Sequence, residues 1–133
     1  MKAKLILAMV ICALLSAIVL PVLAQDVVNP LVVKYIRLAY NGRSSTGPDR
    51  ITGIIYVRDA AYHRVGGAAV SYTWTLPDGT TVDGTGTTTL RQGYLKVSVW
   101  EGLGTYTLTV NSVAKDGYDG YILTFPSETI TAD

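Results

Sequence analysis

The chain has 133 residues, 49% of them hydrophobic and 16% charged, a composition that excludes intrinsic disorder and allows one domain of ordinary size. Eleven Lys and Arg against ten Asp and Glu give a net charge of +1, so overall charge makes no case for nucleic acid or an acidic membrane surface as a partner.

Residues 1–24 read as a secretory signal. Lys2 and Lys4 form a short positive start, and Leu5 to Leu20 is an uncharged, strongly apolar run. Pro21 breaks any helix, and Val22-Leu23-Ala24 precedes a processing site placed between Ala24 and Gln25. An uncleaved anchor remains open, because residues 5–24 at ~1.5 Å per residue can span a bilayer. The expected location is therefore secreted or extracellular, with membrane anchoring by residues 5–24 as the alternative. Cys12 follows Met9-Val10-Ile11, which are not the small residues of a lipoprotein signal. Cleavage removes Lys2 and Lys4 from the eleven basic residues and leaves the ten acidic ones, so residues 25–133 carry a net charge of −1. It also removes the single cysteine, so that fold must hold by packing alone.

Beyond the signal, period-two alternation dominates, as expected when successive side chains point to opposite faces of a strand. Leu31 to Tyr40 and Ile51 to Arg58 are apolar on both faces and read as central or covered strands. Gly42 to Pro48 is a polar loop, and Gly66-Gly67 a turn. From Ala68 to Leu76, residues Ala68, Val70, Tyr72, Trp74 and Leu76 share one face; Ala69, Ser71, Thr73 and Thr75 share the other. Pro77-Asp78-Gly79 is a hairpin turn, with glycine at the position that needs positive φ. A weak Thr-rich strand follows between Thr80 and Thr89. Leu95, Val97 and Val99 alternate with Lys96 and Ser98. After the turn at Gly102-Leu103-Gly104, Tyr106, Leu108 and Val110 alternate with Thr105, Thr107 and Thr109. Asp116-Gly117 and Asp119-Gly120 punctuate the last connection, and Tyr121 to Phe125 is a final strand stopped by Pro126. No window shows a capped helical period. The count is six or seven strands besides the weak one. It predicts an all-β, antiparallel sandwich of about seven strands over residues 25–133, with no linker dividing it.

Ile55-Tyr56-Val57-Arg58-Asp59, Arg64-Val65-Gly66-Gly67-Ala68-Ala69-Val70 and Tyr72-Thr73-Trp74 resemble bacterial immunoglobulin-like domains. In that family the stretch reads as a strand ending in Asp, a short turn, Pro-Val-x-Gly-Ala-x-Val and an aromatic-rich strand; Arg64 stands here in place of the Pro. Gly104 to Val110, Val113-Ala114-Lys115 and Gly117-Tyr118-Asp119 resemble the closing strands of the same group. The likeness covers about residues 50–125. It implies an Ig-like sandwich of the kind appended to secreted proteases, glycosidases and adhesins. In such folds a tryptophan on the third strand fills the inter-sheet core, the place assigned here to Trp74. Tyr106, two residues after Gly104 and two before Leu108, has the spacing of a tyrosine corner. Antibody domains place Cys where this chain has Leu108. The expected core is therefore Val57, Val70, Trp74, Tyr106 and Leu108.

Nucleophilic catalysis needs Ser or Cys beside a base, yet residues 25–133 hold no Cys and one histidine, His63, read as an exposed loop residue. One His and no Cys do not make a usual zinc site, and no cofactor is expected. The Asp residues mostly adjoin Gly in turns, which explains Asp78, Asp83, Asp116 and Asp119 without catalysis. Calcium at Asp116 and Asp119 stays open. Nine Tyr and two Trp exceed what core filling requires. Tyr94, Trp100, Tyr118 and Tyr121 are the candidate contacts, with Trp100 otherwise capping the sandwich end beside Gly102. The leading expectation is a secreted, non-catalytic module with a structural or protein-contact role at a cell surface. A carbohydrate-binding module using exposed aromatics is the alternative, and a small hydrolase comes third. Expected partners are proteins, a cell surface or polysaccharide, and a membrane only if residues 5–24 stay uncleaved.

Overall fold

The alternating stretches become eight strands: β1 (Pro30–Asn41), β2 (Arg50–Arg58), β3 (Ala69–Thr75), β4 (Thr81–Thr87), β5 (Tyr94–Val99), β6 (Gly104–Ala114), β7 (Gly120–Leu123) and β8 (Ser127–Ala132). The computed structural model describes residues 29–42 and 48–133. The signal segment 1–24, its cleavage or retention as an anchor, Cys12 and the middle of the polar loop at 43–47 lie outside the described residues.

Two four-stranded sheets form, in the orders β5-β2-β1-β7 and β4-β3-β6-β8. All pairings are antiparallel except β1 with β7, which run parallel. The chain therefore leaves β6 in one sheet, crosses to the other for β7 and returns for β8. The eighth strand corrects the expected count of about seven. Pro126 does not end the β structure, because its carbonyl accepts from the Val110 N–H and β8 then pairs with β6. Leu31 to Tyr40 and Ile51 to Arg58 occupy the two central positions of their sheet.

The inward faces meet in one apolar core. Leu31, Val33, Ile51, Ile55 and Val57 from one sheet oppose Val70, Trp74, Tyr106, Leu108 and Val110 from the other, all buried. At its centre Gly53 of β2 leaves a gap that Leu108 fills. A Cβ built on Gly53 would lie 2.5 Å from Leu108 Cδ2 and 3.3 Å from the Trp74 ring. Trp74 and Leu108 are register partners across β3 and β6. Leucine and tryptophan thus fill the inter-sheet space over a glycine.

The connections follow local chemistry. In the β3–β4 hairpin, Gly79 takes φ 85° and donates to the Leu76 carbonyl, while Asp78 accepts from the Thr80 N–H at 2.9 Å and from its hydroxyl at 2.6 Å. Thr88, almost fully buried, accepts from the Ala68 N–H and donates to the Val65 carbonyl, tying the turn before β3 to the segment after β4. At the opposite end the Tyr106 hydroxyl donates to the Gly102 carbonyl at 2.6 Å and accepts from the Glu101 N–H at 2.9 Å. That is the tyrosine-corner geometry: a phenol locking the backbone a few residues upstream. No buried side-chain polar atom among the described residues lacks a partner.

Two outcomes should follow. Trp74→Ala should destabilise the fold by about 3–5 kcal/mol in a denaturant series. Gly53→Ala should cost about 1–3 kcal/mol by overpacking against Leu108. In a Leu108→Ala background the same added methyl should cost less than half as much, and a double-mutant cycle would measure that coupling.

Candidate functional site

A single β-bulge sets up the outer face of the β5-β2-β1 sheet. Leu31 and Val33 point inward, and the same parity would send Tyr35 inward too. Pairing with β2 runs Val33↔Val57 and then Tyr35↔Tyr56, so Lys34 is the extra residue and the parity flips. Ile36 and Leu38 then face the core, while Tyr35 stands outside and is 41% exposed.

The register arranges outward side chains in rows across three strands. One row is Tyr35–Tyr56–Tyr94. Next to it along the strands lies Arg37–Ile54–Lys96, and on its other side Val32–Arg58. Further down, Asn41 Nδ2 donates to the Thr52 hydroxyl, which also hydrogen-bonds Ser98. The Tyr35 and Tyr56 rings stack at 4.4 Å between centroids, and Tyr94 leans on Tyr56 at 6.0 Å with a 56° tilt. Aromatic pairs on neighbouring strands hold one another rigid at small entropic cost. The Arg58 guanidinium lies 5.7 Å from the Tyr56 ring centre and its Nη1 donates to the Val57 and Gln92 carbonyls, which fixes the cation at the edge of the row.

A turn beside this face is built by Asp59. Its carboxylate accepts from the His63 N–H at 2.8 Å and approaches the His63 ring at 3.3 Å. The Tyr62 N–H donates to the Asp59 carbonyl, and Tyr62 adopts φ 64° with its ring under the Lys34 ammonium. The His63 backbone N–H holds the Asp59 carboxyl below its ordinary range, with the His63 ring assisting. Thr80, by hydroxyl and by N–H, lowers Asp78 in the same direction. His63 itself is an exposed loop residue, with its side chain 79% accessible.

The four aromatics singled out from the sequence go to three different places. Tyr94 joins the tyrosine row. Trp100 lies beyond the end of β5 and turns back onto the core rim, half-buried and stacked between Tyr40 at 5.7 Å and Tyr106 at 6.3 Å. It therefore does not share a surface with Tyr94. Tyr118 and Tyr121 line one groove of about 530 Å³ with Lys115, Asp116 and Asp119. Tyr118 packs on the core, and the Tyr121 hydroxyl donates to the Asn111 carbonyl. Two of the groove's three charged side chains are already engaged. Lys115 donates to the Gly66 carbonyl, and Asp119 accepts from the Asn29 N–H, which helps seat the start of β1 beside β7. Among the described residues no three His, Cys, Asp or Glu side chains cluster closely enough to hold a metal ion.

Tyr35 and Tyr56 were missed from sequence. For Tyr56 the signal existed: Ile51, Ile55 and Val57 share one parity in β2 and Tyr56 has the other. For Tyr35 the bulge hid it. In comparison with known proteins, the chain matches no family model, no curated protein and no solved structure. The strand arrangement itself is that of a two-sheet β-sandwich.

The depressed carboxyls give a pH signature. A group whose folded pKa lies below its unfolded value adds stability above the unfolded value, and that stability disappears as pH falls through the folded value. Acidification below the ordinary carboxylate range should therefore loosen the Asp59 turn and lower the unfolding midpoint. In Asp59→Asn this part of the acid dependence should be absent, as midpoints measured across a pH series would show.

Proposed function

We propose that residues 25–133 form an exported, non-catalytic Ig-like module that binds carbohydrate through the outer face of β5, β2 and β1. The observation that carries this reading is the Tyr35–Tyr56–Tyr94 row. Stacked rings form a rigid, amphipathic ridge. Their flanks can cover the C–H faces of sugar rings while three phenol groups exchange hydrogen bonds with sugar hydroxyls. Little side-chain freedom is left to lose on binding, because each ring is already held by its neighbour.

The Ig-like part of the proposal draws support from the strand order. β1, β2 and β5 correspond to strands A, B and E on one sheet; β3, β6 and β8 correspond to C, F and G on the other, with β4 beside β3. Trp74 then lies on strand C, and Tyr106 opens strand F two residues before Leu108. Parallel β7 is an addition to that scheme. Export rests on residues 1–24 and their apolar run. The non-catalytic reading rests on the residue inventory, since residues 25–133 offer one histidine and no cysteine, and on the use of Asp59 and His63 in a turn. A second reading, contact with a protein strand, is favoured by β4, whose far side carries no partner among the described strands.

Glycan-array binding followed by titration tests the assignment. Saturable binding to a polysaccharide is expected, and Tyr56→Ala or Tyr94→Ala should weaken it about tenfold or more. Trp100→Ala should lower stability while leaving affinity per folded molecule unchanged. Binding that depends on Trp100 and ignores Tyr56 would refute the placement.

A further inference from the structure

The outward charged positions on the strands that carry the tyrosine ridge are all of one sign. Apart from the bulged Lys34, which sits over Tyr62, the outward positions of β1, β2 and β5 are read from the register, and the charged ones are Arg37, Arg50, Arg58 and Lys96. None is a carboxylate. Arg37, Arg50 and Lys96 are exposed and make no ion pair among the described residues. Glu128 shares a cleft with Tyr35 and Arg37, on the part of β1 beyond its pairing with β7, yet it forms no ion pair with Arg37. The other sheet differs. Its outer face is a hydroxyl array in which Thr105 meets Thr131 and Thr107 meets Thr129, and Asp83 takes the Thr73 hydroxyl. A near-neutral chain has thus gathered uncompensated cations on the one face that also carries a ridge of aromatic rings.

We propose that the ligand of this face is an anionic polysaccharide, bearing carboxylate or sulfate groups along its length; this rests on the carbohydrate-binding reading above. Charge complementarity selects this occupant. Strands in a sheet lie ~4.8 Å apart, so the ends of the Arg37–Ile54–Lys96 row stand about 10 Å from each other at the backbone. Arg58 flanks the ridge on the opposite side, and Arg50 continues the line down β2. A polymer crossing the ridge meets a cation before and after its stacked segment. A neutral glycan would leave these guanidinium and ammonium groups in water with nothing gained. An anionic one releases condensed counterions as the cations engage it, which ties affinity to salt.

The test uses the full chain in affinity electrophoresis and titration against paired polymers: polygalacturonate with its methyl ester, and dextran sulfate with dextran. The expected result is binding to both acidic polymers, about tenfold or more weaker to their neutral partners, and falling steeply between about 50 and about 200 mM salt. Arg37→Gln with Lys96→Gln should weaken acidic-polymer binding about tenfold without shifting the unfolding midpoint. Thr107→Ala with Thr129→Ala, on the opposite face, should leave binding intact. Equal, salt-independent binding to neutral and acidic polymers would overturn the anionic assignment and leave carbohydrate binding standing. Acidic-polymer binding indifferent to both Arg37→Gln with Lys96→Gln and Tyr56→Ala would overturn the placement on this face. Binding to phosphatidylglycerol vesicles that Arg37→Gln with Lys96→Gln abolishes, with no polymer bound, would overturn both readings.

Discussion

The two sheets are held apart and together by the contact of Leu108 and Trp74 over Gly53. A sandwich without a cross-sheet disulfide must fill the same space with matter that packs, because a void there would forfeit dispersion contacts on every side. Leucine is longer than a cysteine, and the fold accommodates it by removing the Cβ opposite. The chain cannot recover a sulfur bridge from its own single cysteine. The Tyr106 phenol complements this closure at the nearby rim, where two backbone hydrogen bonds of roughly 0.5–1.5 kcal/mol each fix the connection between the sheets.

That closure frees the outer face for another use. β1 and β2 are the central strands of their sheet, and their inward residues are fixed by the core. Any outward residue on them inherits that rigidity. The bulge at Lys34 exploits this: one unpaired residue turns Tyr35 out of the core and into register with Tyr56, while Ile36 and Leu38 take over the packing. An exposed aromatic ridge arises from a change of parity within a strand. Tyr35 and Tyr56 stand on the two central strands, and Tyr94 extends the row onto the edge strand β5.

Sequence alternation revealed most of this architecture, and its failures have particular causes. β3, β5 and β6 were plain because their inward residues are large and their outward ones are Thr, Ser or Lys. β4 reads weakly because two of the three residues on its inward parity, Gly84 and Gly86, carry no side chain and sit beneath the Tyr72 ring and the Leu95 side chain, while the third, Val82, is exposed. A Cβ at either glycine would collide, so the apolar signal is carried by the neighbours. β8 escaped because it is short, follows Pro126 and offers only Ile130 and Ala132 to the interior. β1 looked apolar on both faces because the bulge superimposes two alternation phases. The parallel pairing of β7 with β1 has no local signature at all, since it is decided by which edge the crossing chain meets. Strand parity carried one residue past Val99 puts Trp100 opposite Leu95, Val97 and Val99, but β5 ends at Val99 and the ring packs on the core rim.

The same reasoning explains why the candidate site was only half legible. Tyr94 could be assigned to an outward face because β5 alternates cleanly, but its partners lie on two other strands, about forty and sixty residues earlier in the chain. Only the register of three strands turns isolated tyrosines into a ridge, and only that register shows that the charged residues sharing its outward rows are all cations. A whole-chain charge near zero argued against electrostatic recognition, yet the average conceals the distribution. Acidic groups are spent in turns, as at Asp59, Asp78 and Asp119, where each accepts backbone or hydroxyl hydrogen bonds. Arg37, Arg50 and Lys96, by contrast, stand exposed on their strands with no ion pair among the described residues. The turn chemistry of Asp and the strand positions of Arg and Lys thus sort the charges in space, and a polarised face emerges from a sequence that is balanced overall.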